Sequence, residues 1–323
     1  MILELYTVPV AMQGDDPTAA LPRSVSSSRV GEVAEVLESE THVDMEKLLS
    51  LAHQGVPDEL RAEAWKYMLG VSRSERAVEM SLRKSMETDY KENENAWRSR
   101  PHGELARAVK AAVLPHRQAL SHKDDAAMSL QLYARLEALL CCYLHAQGEH
   151  GEELRAGTVQ LLLPFVHIYS SDVDAYYCFA ELMKRLEWAL TFDGCKQMTV
   201  AFMTLLRHML PELYSFLEEE QSCGGAWLAS WLQFFLARDL PLPCLLRLWD
   251  TYFAYDASYG REATLQLHIY VCLAILEACD DEIMELDDSD MLWYLTHLPS
   301  LDMGKIVLQA LNIKDDVIAS SIL

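Results

Sequence analysis

The sequence has little positive charge for its length. Only 27 of the 323 residues are lysine or arginine, against 49 aspartate or glutamate residues, and the formal net charge is −22. Nucleic acids are bound by positive protein surfaces, and anionic lipids attract basic segments. The charge balance therefore argues against both classes of partner, and its simplest consequence is a soluble surface.

Several export and membrane signals are missing. The chain has no Asn-x-Ser/Thr site, no Cys-x-x-Cys pair and no secretory pattern at its start. Its longest unbroken apolar run, Ile269–Leu276, is far too short to cross a bilayer. The eight cysteines mostly stand among apolar residues, where a thiol packs as a small hydrophobic group. We therefore expect a reducing, cytoplasmic location and no membrane insertion.

The common enzyme motifs are also missing. There is no Gly-x-x-x-x-Gly-Lys-Ser/Thr loop, no His-Glu-x-x-His and no Gly-x-Ser-x-Gly. Cys141 and Cys142 lie near His145 and His150, but a metal site with this spacing would need a second pair of ligands. The sequence therefore predicts no bound nucleotide, no metal and no other cofactor.

Helical periodicity dominates what is present. Apolar residues make up 51% of the chain, and no run of useful length alternates with the period of a strand. The pattern predicts an all-α protein. Further expectations are an amphipathic helix at 128–146, a boundary or kink at Pro211, a central helix at Leu265–Leu276 and a solvated acidic loop at Asp280–Asp290.

One aromatic-rich stretch, Ser230–Asp250, is the most distinctive part of the chain. Trp231 and the two phenylalanines that follow it are spaced to share one buried helix face. Pro241 then breaks the helix, because proline has no N–H and restricts the residue before it. The next segment reads Arg247-Leu248-Trp249-Asp250, and we expect Arg247 to join a polar network with Asp250.

A second stretch, far upstream, begins at Gly55. This glycine is placed to end one helix, and Pro57 stands where the first turn of the next helix tolerates proline. Arg61 and Trp65 are four residues apart and share one face of that helix. The spacing predicts that the guanidinium of Arg61 stacks on the indole of Trp65.

Together the two stretches resemble the TBC domain, the helical domain of Rab GTPase-activating proteins. The upstream part follows Gly-hydrophobe-Pro-x-x-x-Arg-x-x-x-Trp-x-x-hydrophobe-Leu-Gly, and the downstream part is a proline-containing loop followed by Arg-hydrophobe-Trp-Asp. The resemblance covers roughly residues 46–315 and implies a two-lobed helical domain. The expected divisions are a tail or arm at 1–43, an N-terminal lobe at 44–190, a C-terminal lobe at 191–315 and a tail at 316–323.

The resemblance also indicates where catalytic groups would stand. TBC proteins supply an arginine that stabilises developing charge and a glutamine that orients water. The arginine lies in Ile-x-x-Asp-x-x-Arg-Thr, and aligning Val109 with the isoleucine places Pro115 at the arginine position. The glutamine lies in Tyr-x-Gln-Gly-Met-Asn, and counting back from Pro164 places Ala156 at the glutamine and Gly157 at the glycine. We therefore expect no catalytic residue at either position.

Three hypotheses about function follow. The first is a regulator of a Rab-type small GTPase that acts mainly by binding the GTPase or other trafficking proteins. The second is an active GTPase-activating protein with a displaced arginine, Arg117 or Arg155. The third is a helical scaffold unrelated to GTPases.

Candidate partner contacts come from a locally basic segment and from the two residues around the glutamine position. They are Arg107, Lys110, His116, Arg117, Arg155 and Gly157. A cytoplasmic protein of this kind would be recruited to endomembranes or to the cilium by its partners. The sequence does not indicate the oligomeric state.

Overall fold

The computed structural model describes residues 27–99, 107, 109–111, 126–148, 157–220 and 225–320. Within these ranges the protein is helical without strands, apart from one isolated bridge between His42 and Glu75, so the predicted all-α class is confirmed. The numbered helices are α1 Ser27–Leu37, α2 Met45–Ala52, α3 Asp58–Met68, α4 Arg76–Ser99, α5 Ala126–Ala146, α6 Thr158–Ile168, α7 Asp172–Leu186, α8 Phe192–Met209, α9 Pro211–Glu219, α10 Ala226–Phe234, α11 Leu242–Tyr259, α12 Arg261–Ala278, α13 Asp280–Met284, α14 Asp288–Thr296 and α15 Met303–Ser320.

Prolines mark two helix boundaries, as the sequence predicts. Helix α8 ends at Met209, and Pro211 begins α9. Pro241 immediately precedes α11 with φ −55°, where its missing N–H costs no helical hydrogen bond. Pro211 therefore stands at the break between α8 and α9, and Pro241 at the break between α10 and α11.

Helix α12 is the central helix predicted at Leu265–Leu276. Its residues from Leu267 to Leu276 are all buried, because it packs on α8, α11 and α15 at once. A helix that is apolar on every side is stable only inside the protein. No helix in the described ranges combines the length and apolar character needed to span a membrane.

An aromatic cluster joins the early helices to the late ones. The Trp65 ring of α3 lies 5.7 Å from Phe165 of α6, 6.1 Å from Trp249 of α11 and 4.7 Å from Phe253 of α11, measured between ring centroids. All four side chains are buried. Aromatic pairs at these distances stabilise the core beyond the area they bury, so the cluster fixes α3 and α6 against α11.

Two segments are more helical than the sequence suggests. Part of the tail or arm expected at 1–43 forms α1, and Val33, Val36 and Leu37 of this helix are buried. The prediction of an acidic loop at Asp280–Asp290 is wrong, because α13 and the first turn of α14 occupy most of this segment. Acidic residues suit the positive end of a helix, and the Asp287 carboxylate caps α14 by accepting two backbone N–H groups. The lobe boundary near residue 190 stays a prediction.

Candidate functional site

The two signature stretches meet at one buried carboxylate. Asp250 on α11 is fully buried, and it accepts hydrogen bonds from three residues of the Gly55–Gly70 stretch. Its Oδ1 accepts from Arg61 Nε at 3.0 Å and from Trp65 Nε1 at 2.7 Å. Its Oδ2 accepts from the Val56 backbone N–H at 2.8 Å and from Arg61 Nη2 at 3.1 Å. We call Asp250 and these three donors the carboxylate clamp.

The clamp corrects the predicted contact between Arg61 and Trp65. Their four-residue spacing does place both on one face of α3, but both point their N–H groups at Asp250 rather than stacking on each other. Arg61 also donates to the Val56 carbonyl at 2.7 Å and forms an ion pair with Asp58. The donors are thus satisfied by an acceptor that comes from a distant part of the chain.

Arg247 lies beside the clamp without donating to its carboxylate. Its guanidinium donates to Thr251 Oγ1 at 2.7 Å and to the His53 carbonyl at 3.2 Å. The side chain crosses directly over Gly55, where an added Cβ would lie 2.7 Å from Arg247 Cδ. Because Gly55 also has φ +101°, glycine is required there for two separate reasons. The expected network around Asp250 therefore forms with Arg61 and Trp65, and Arg247 secures the end of α2.

The carboxylate clamp buries two opposite charges, and burial disfavours the charged form of each. Burial raises the pKa of the Asp250 carboxyl above its usual value, while the Arg61 guanidinium and the hydrogen bonds from Val56 and Trp65 oppose that shift. Burial also acts against the charge of Arg61, but the attraction and hydrogen bonds of Asp250 and Asp58 together outweigh it and raise the pKa of Arg61. Arg61 and Asp250 therefore each offset part of the cost of burying the other.

Gly157 is fixed by a close contact with α10. It immediately precedes α6 in the left-handed conformation, with φ +85°, and an added Cβ would overlap the ring of Phe234. The backbone at this point is thus held against the last residue of α10. The resemblance aligns the family's glutamine with the residue directly before this fixed glycine.

The turn after Phe234 carries an exposed cation that the sequence analysis did not assign to the partner contacts. Phe235 and Leu236 adopt positive φ values of 50° and 62°, which are uncommon for residues with a side chain. The Phe235 carbonyl accepts from Trp249 Nε1 at 3.2 Å, which holds the turn. Arg238 follows, exposed, with its guanidinium carbon 5.9 Å from the centroid of the Phe234 ring. The four-residue spacing of Phe234 and Arg238 was the available sequence signal.

A buried polar network lies beneath this turn. Trp231 donates its indole N–H to the Leu295 carbonyl at 2.7 Å, and its own carbonyl is 2.9 Å from His268 Nε2. Because a carbonyl can only accept, Nε2 carries the proton, and Nδ1 accepts from the Tyr252 hydroxyl at 2.8 Å. Burial lowers the pKa of His268 to about 4, so the ring is neutral near pH 7 and serves a structural role.

The described part of the chain contains only some of the predicted partner contacts. Arg107 and Lys110 are exposed in a helical segment that is anchored by the buried side chain of Val109. Gly157 contacts Phe234 as described above. The other predicted positions, Pro115, His116, Arg117, Arg155 and Ala156, lie outside the described residues.

The described residues form no recognisable metal site. No group of three or more His, Cys, Asp or Glu side chains within them is arranged to hold an ion. Burial raises the pKa of Cys141 to about 11 and that of Cys142 to about 12, so both thiols are protonated at pH 7 and are poor ligands.

Comparisons with known proteins agree with this architecture. The chain is 23% identical to the GTPase-activating protein gyp1 of Schizosaccharomyces pombe over 310 residues, which covers 85% of this chain and 58% of that protein. It is 22% identical to human TBC1 domain family member 22B over 330 residues, covering 92% of this chain and 63% of the relative. The chain thus spans about three-fifths of the length of these curated relatives.

Solved structures show the same fold. The crystal structure of the Ypt/Rab-GAP domain of Gyp1p superposes with a TM-score of 0.74 at 16% identity, covering 89% of this chain and 98% of that one. The flagellar RabGAP TBC domain of Chlamydomonas gives a TM-score of 0.60 at 16% identity, covering 87% and 86%. A sequence model of the Rab-GTPase-TBC domain matches residues 58–284, which is more than half of the chain. The chain therefore belongs to the Rab-GTPase-TBC domain family.

Proposed function

We propose that this protein binds a Rab-type small GTPase through its TBC domain and regulates it mainly by binding, without supplying the catalytic arginine and glutamine. The proposal rests on a contrast between an intact helical scaffold and the missing catalytic side chains. The carboxylate clamp around Asp250 is complete, whereas the alignment places Pro115 and Ala156 at the two catalytic positions. Neither side chain has a polar atom that could stabilise a phosphoryl group or orient water.

Exposed cations support a role in binding. In a chain of net charge −22, the exposed residues Arg107, Lys110 and Arg238 would attract an anionic partner surface near the segments aligned with the catalytic motifs. Complementary charges chiefly raise the association rate and fix the orientation of a partner. The relatives' names, GTPase-activating protein and TBC1 domain family member, support a GTPase as that partner.

The test combines binding with catalysis. The whole protein is mixed with a panel of Rab-type GTPases, and capture of the GTP-loaded form is measured beside the rate of GTP hydrolysis. We expect capture of at least one GTPase without faster hydrolysis. If hydrolysis accelerates and either Arg117→Ala or Arg155→Ala abolishes the acceleration, a displaced arginine is at work and the binding-only proposal is wrong. If no GTPase is captured, the scaffold hypothesis replaces it.

A variant that restores both catalytic side chains provides a second test of the same proposal. Pro115→Arg together with Ala156→Gln restores both side chains of the family motifs. Since an arginine supplied in trans is worth about 10³–10⁵-fold in rate, even a poorly positioned pair should produce measurable hydrolysis on a GTPase that the unaltered protein binds. The matched control keeps Pro115→Arg but carries Ala156→Asn in place of Ala156→Gln, because the shorter amide should not reach the same position.

The proposed setting is vesicle trafficking, with the protein brought to endomembranes or to the cilium by its partners. Imaging a tagged protein before and after depletion of the captured GTPase tests this. A location that persists without the GTPase would indicate another recruiting partner.

A further inference from the structure

Helix α14 presents large apolar side chains to solvent. Leu292 is 45% exposed and Trp293 is 60% exposed, whereas Met291 and Leu295 on the other side of the helix are buried. The indole of Trp293 is held in a parallel stack on the His297 ring, with centroids 4.8 Å apart and planes 7° apart. Trp293 and Leu292 therefore form an exposed apolar surface in which the indole is held in place by His297.

The part of the sequence that carries this apolar surface is strongly acidic. Residues 262–304 contain no lysine or arginine, and acidic residues stand at positions 280, 281, 282, 285, 287, 288 and 290. None of the ion pairs between described residues involves an acidic residue from 280 to 290. These carboxylates therefore give the face a negative charge that no ion pair between described residues offsets.

A second element brings further negative charge to the same face. Glu220, which follows α9, lies within hydrogen-bond distance of the Asp288 carboxyl at the start of α14, and this contact raises the pKa of Glu220. Carboxylates this close repel each other whenever both are ionised. Because a bound cation would relieve that repulsion, the face is better suited to a complex with a basic partner than to solvent.

We propose that this acidic aromatic surface, made of Asp287, Asp288, Asp290, Leu292 and Trp293, docks a basic amphipathic helix of another protein. Lysine and arginine side chains would pair with the carboxylates, and a cation could also lie on the exposed indole face. The apolar side of the same helix would cover Leu292 and Trp293. This contact is separate from the proposed GTPase-binding function and does not depend on it.

Charge favours a basic helix over two other possible partners of this surface, an anionic membrane and a second copy of the chain. An anionic membrane would be repelled by the carboxylates around Trp293. A second copy of the chain in a two-fold contact would place the same acidic residues against themselves. Only a basic partner combines favourable charge with burial of the apolar side chains.

The test uses a labelled synthetic helix with leucine on one face and lysine on the other, and its binding to the whole protein is measured by fluorescence anisotropy. Trp293→Ala with Leu292→Ser removes the apolar surface at constant charge, and we expect at least about a tenfold loss of affinity, since two partly exposed apolar side chains are worth more than about 1.4 kcal/mol when covered. Asp287→Asn with Asp288→Asn and Asp290→Asn keeps the cap of α14 and should weaken binding and flatten its salt dependence.

Controls separate this surface from general acidity. Phe192→Ala removes an exposed aromatic residue from α8, which is not part of the proposed surface, and should leave binding unchanged. Circular dichroism confirms folding of each variant. Equal binding by Trp293→Ala with Leu292→Ser, or by a scrambled peptide of the same composition, would overturn the proposal. So would preferential binding to anionic vesicles, or a dimer in sedimentation that Trp293→Ala dissociates.

Discussion

Asp250→Asn is the substitution that most directly probes how the domain is held together. Each carboxylate oxygen of Asp250 accepts two N–H groups: Oδ1 from Arg61 Nε and Trp65 Nε1, and Oδ2 from Val56 N and Arg61 Nη2. An asparagine must place its NH₂ group at one of these positions, where it faces two donors and accepts from neither. Two hydrogen bonds are lost whichever way the amide is oriented.

The larger effect is the loss of the counter-charge. The Arg61 side chain is only 7% exposed, so its guanidinium would remain buried without Asp250. Removing one partner of a buried ion pair typically costs about 3–5 kcal/mol. We therefore expect the free energy of unfolding to fall by this amount, measured from the first cooperative transition in urea at neutral pH.

The matched control is Asp172→Asn, which breaks the pair between Asp172 and Arg135. Their side chains are 42% and 28% exposed, and a pair of this exposure is worth about 1 kcal/mol or less. If Asp250→Asn costs no more than Asp172→Asn, the carboxylate does not hold the two stretches together, and the structural reading of both signatures fails.

Three further predictions concern the turn and its surroundings. Gly157→Ala should lower the unfolding free energy more than Gly148→Ala, because both have positive φ but only Gly157 would also overlap a ring; overpacking adds about 1–3 kcal/mol, and equal losses would contradict the contact. Burial raises the pKa of Asp239 to about 7, with Ser230 and Arg238 opposing the shift. The folded protein thus holds a proton that the unfolded chain releases from about pH 4 upward, so the contribution of Asp239 to stability should fall as pH rises from about 4 to 7, by an amount on the order of 4 kcal/mol, while the lowered pKa of His268 acts in the opposite direction. Urea titrations across this range should show the unfolding free energy of Asp239→Asn rising with pH relative to that of the unaltered protein, and parallel profiles would refute the assignment. Arg238→Gln should weaken GTPase capture and reduce its salt dependence without changing the melting temperature, whereas unchanged capture would exclude Arg238 from the interface.

Local chemistry made much of the fold predictable. The breaks at Pro211 and Pro241 follow from the missing proline N–H, and the central position of α12 follows from its apolar residues on every side. Spacing also placed Arg61 and Trp65 on one face of α3. These features depend on residues within a few turns of each other.

The acceptor for Arg61 and Trp65 could not be read from spacing, because Asp250 is distant in sequence and reaches them only through the packing of α11 on α3. The left-handed conformation of Phe235 and Leu236 was equally hidden, since sequence patterns expect glycine where φ is positive. The acidic run at Asp280–Asp290 suggested a loop, although the same carboxylates can cap and start helices.

The separation of 189 residues between Arg61 and Asp250 has a consequence for how the protein is made. On the ribosome, α3 emerges long before α11, so a nascent chain carries Arg61 without its partner Asp250, and Trp65 without the aromatic rings of α11, until α11 has been made. Closing so long a loop is slow, and the waiting segment is a natural substrate for chaperones. A message truncated before α11 should consequently yield an aggregating product rather than a smaller stable domain.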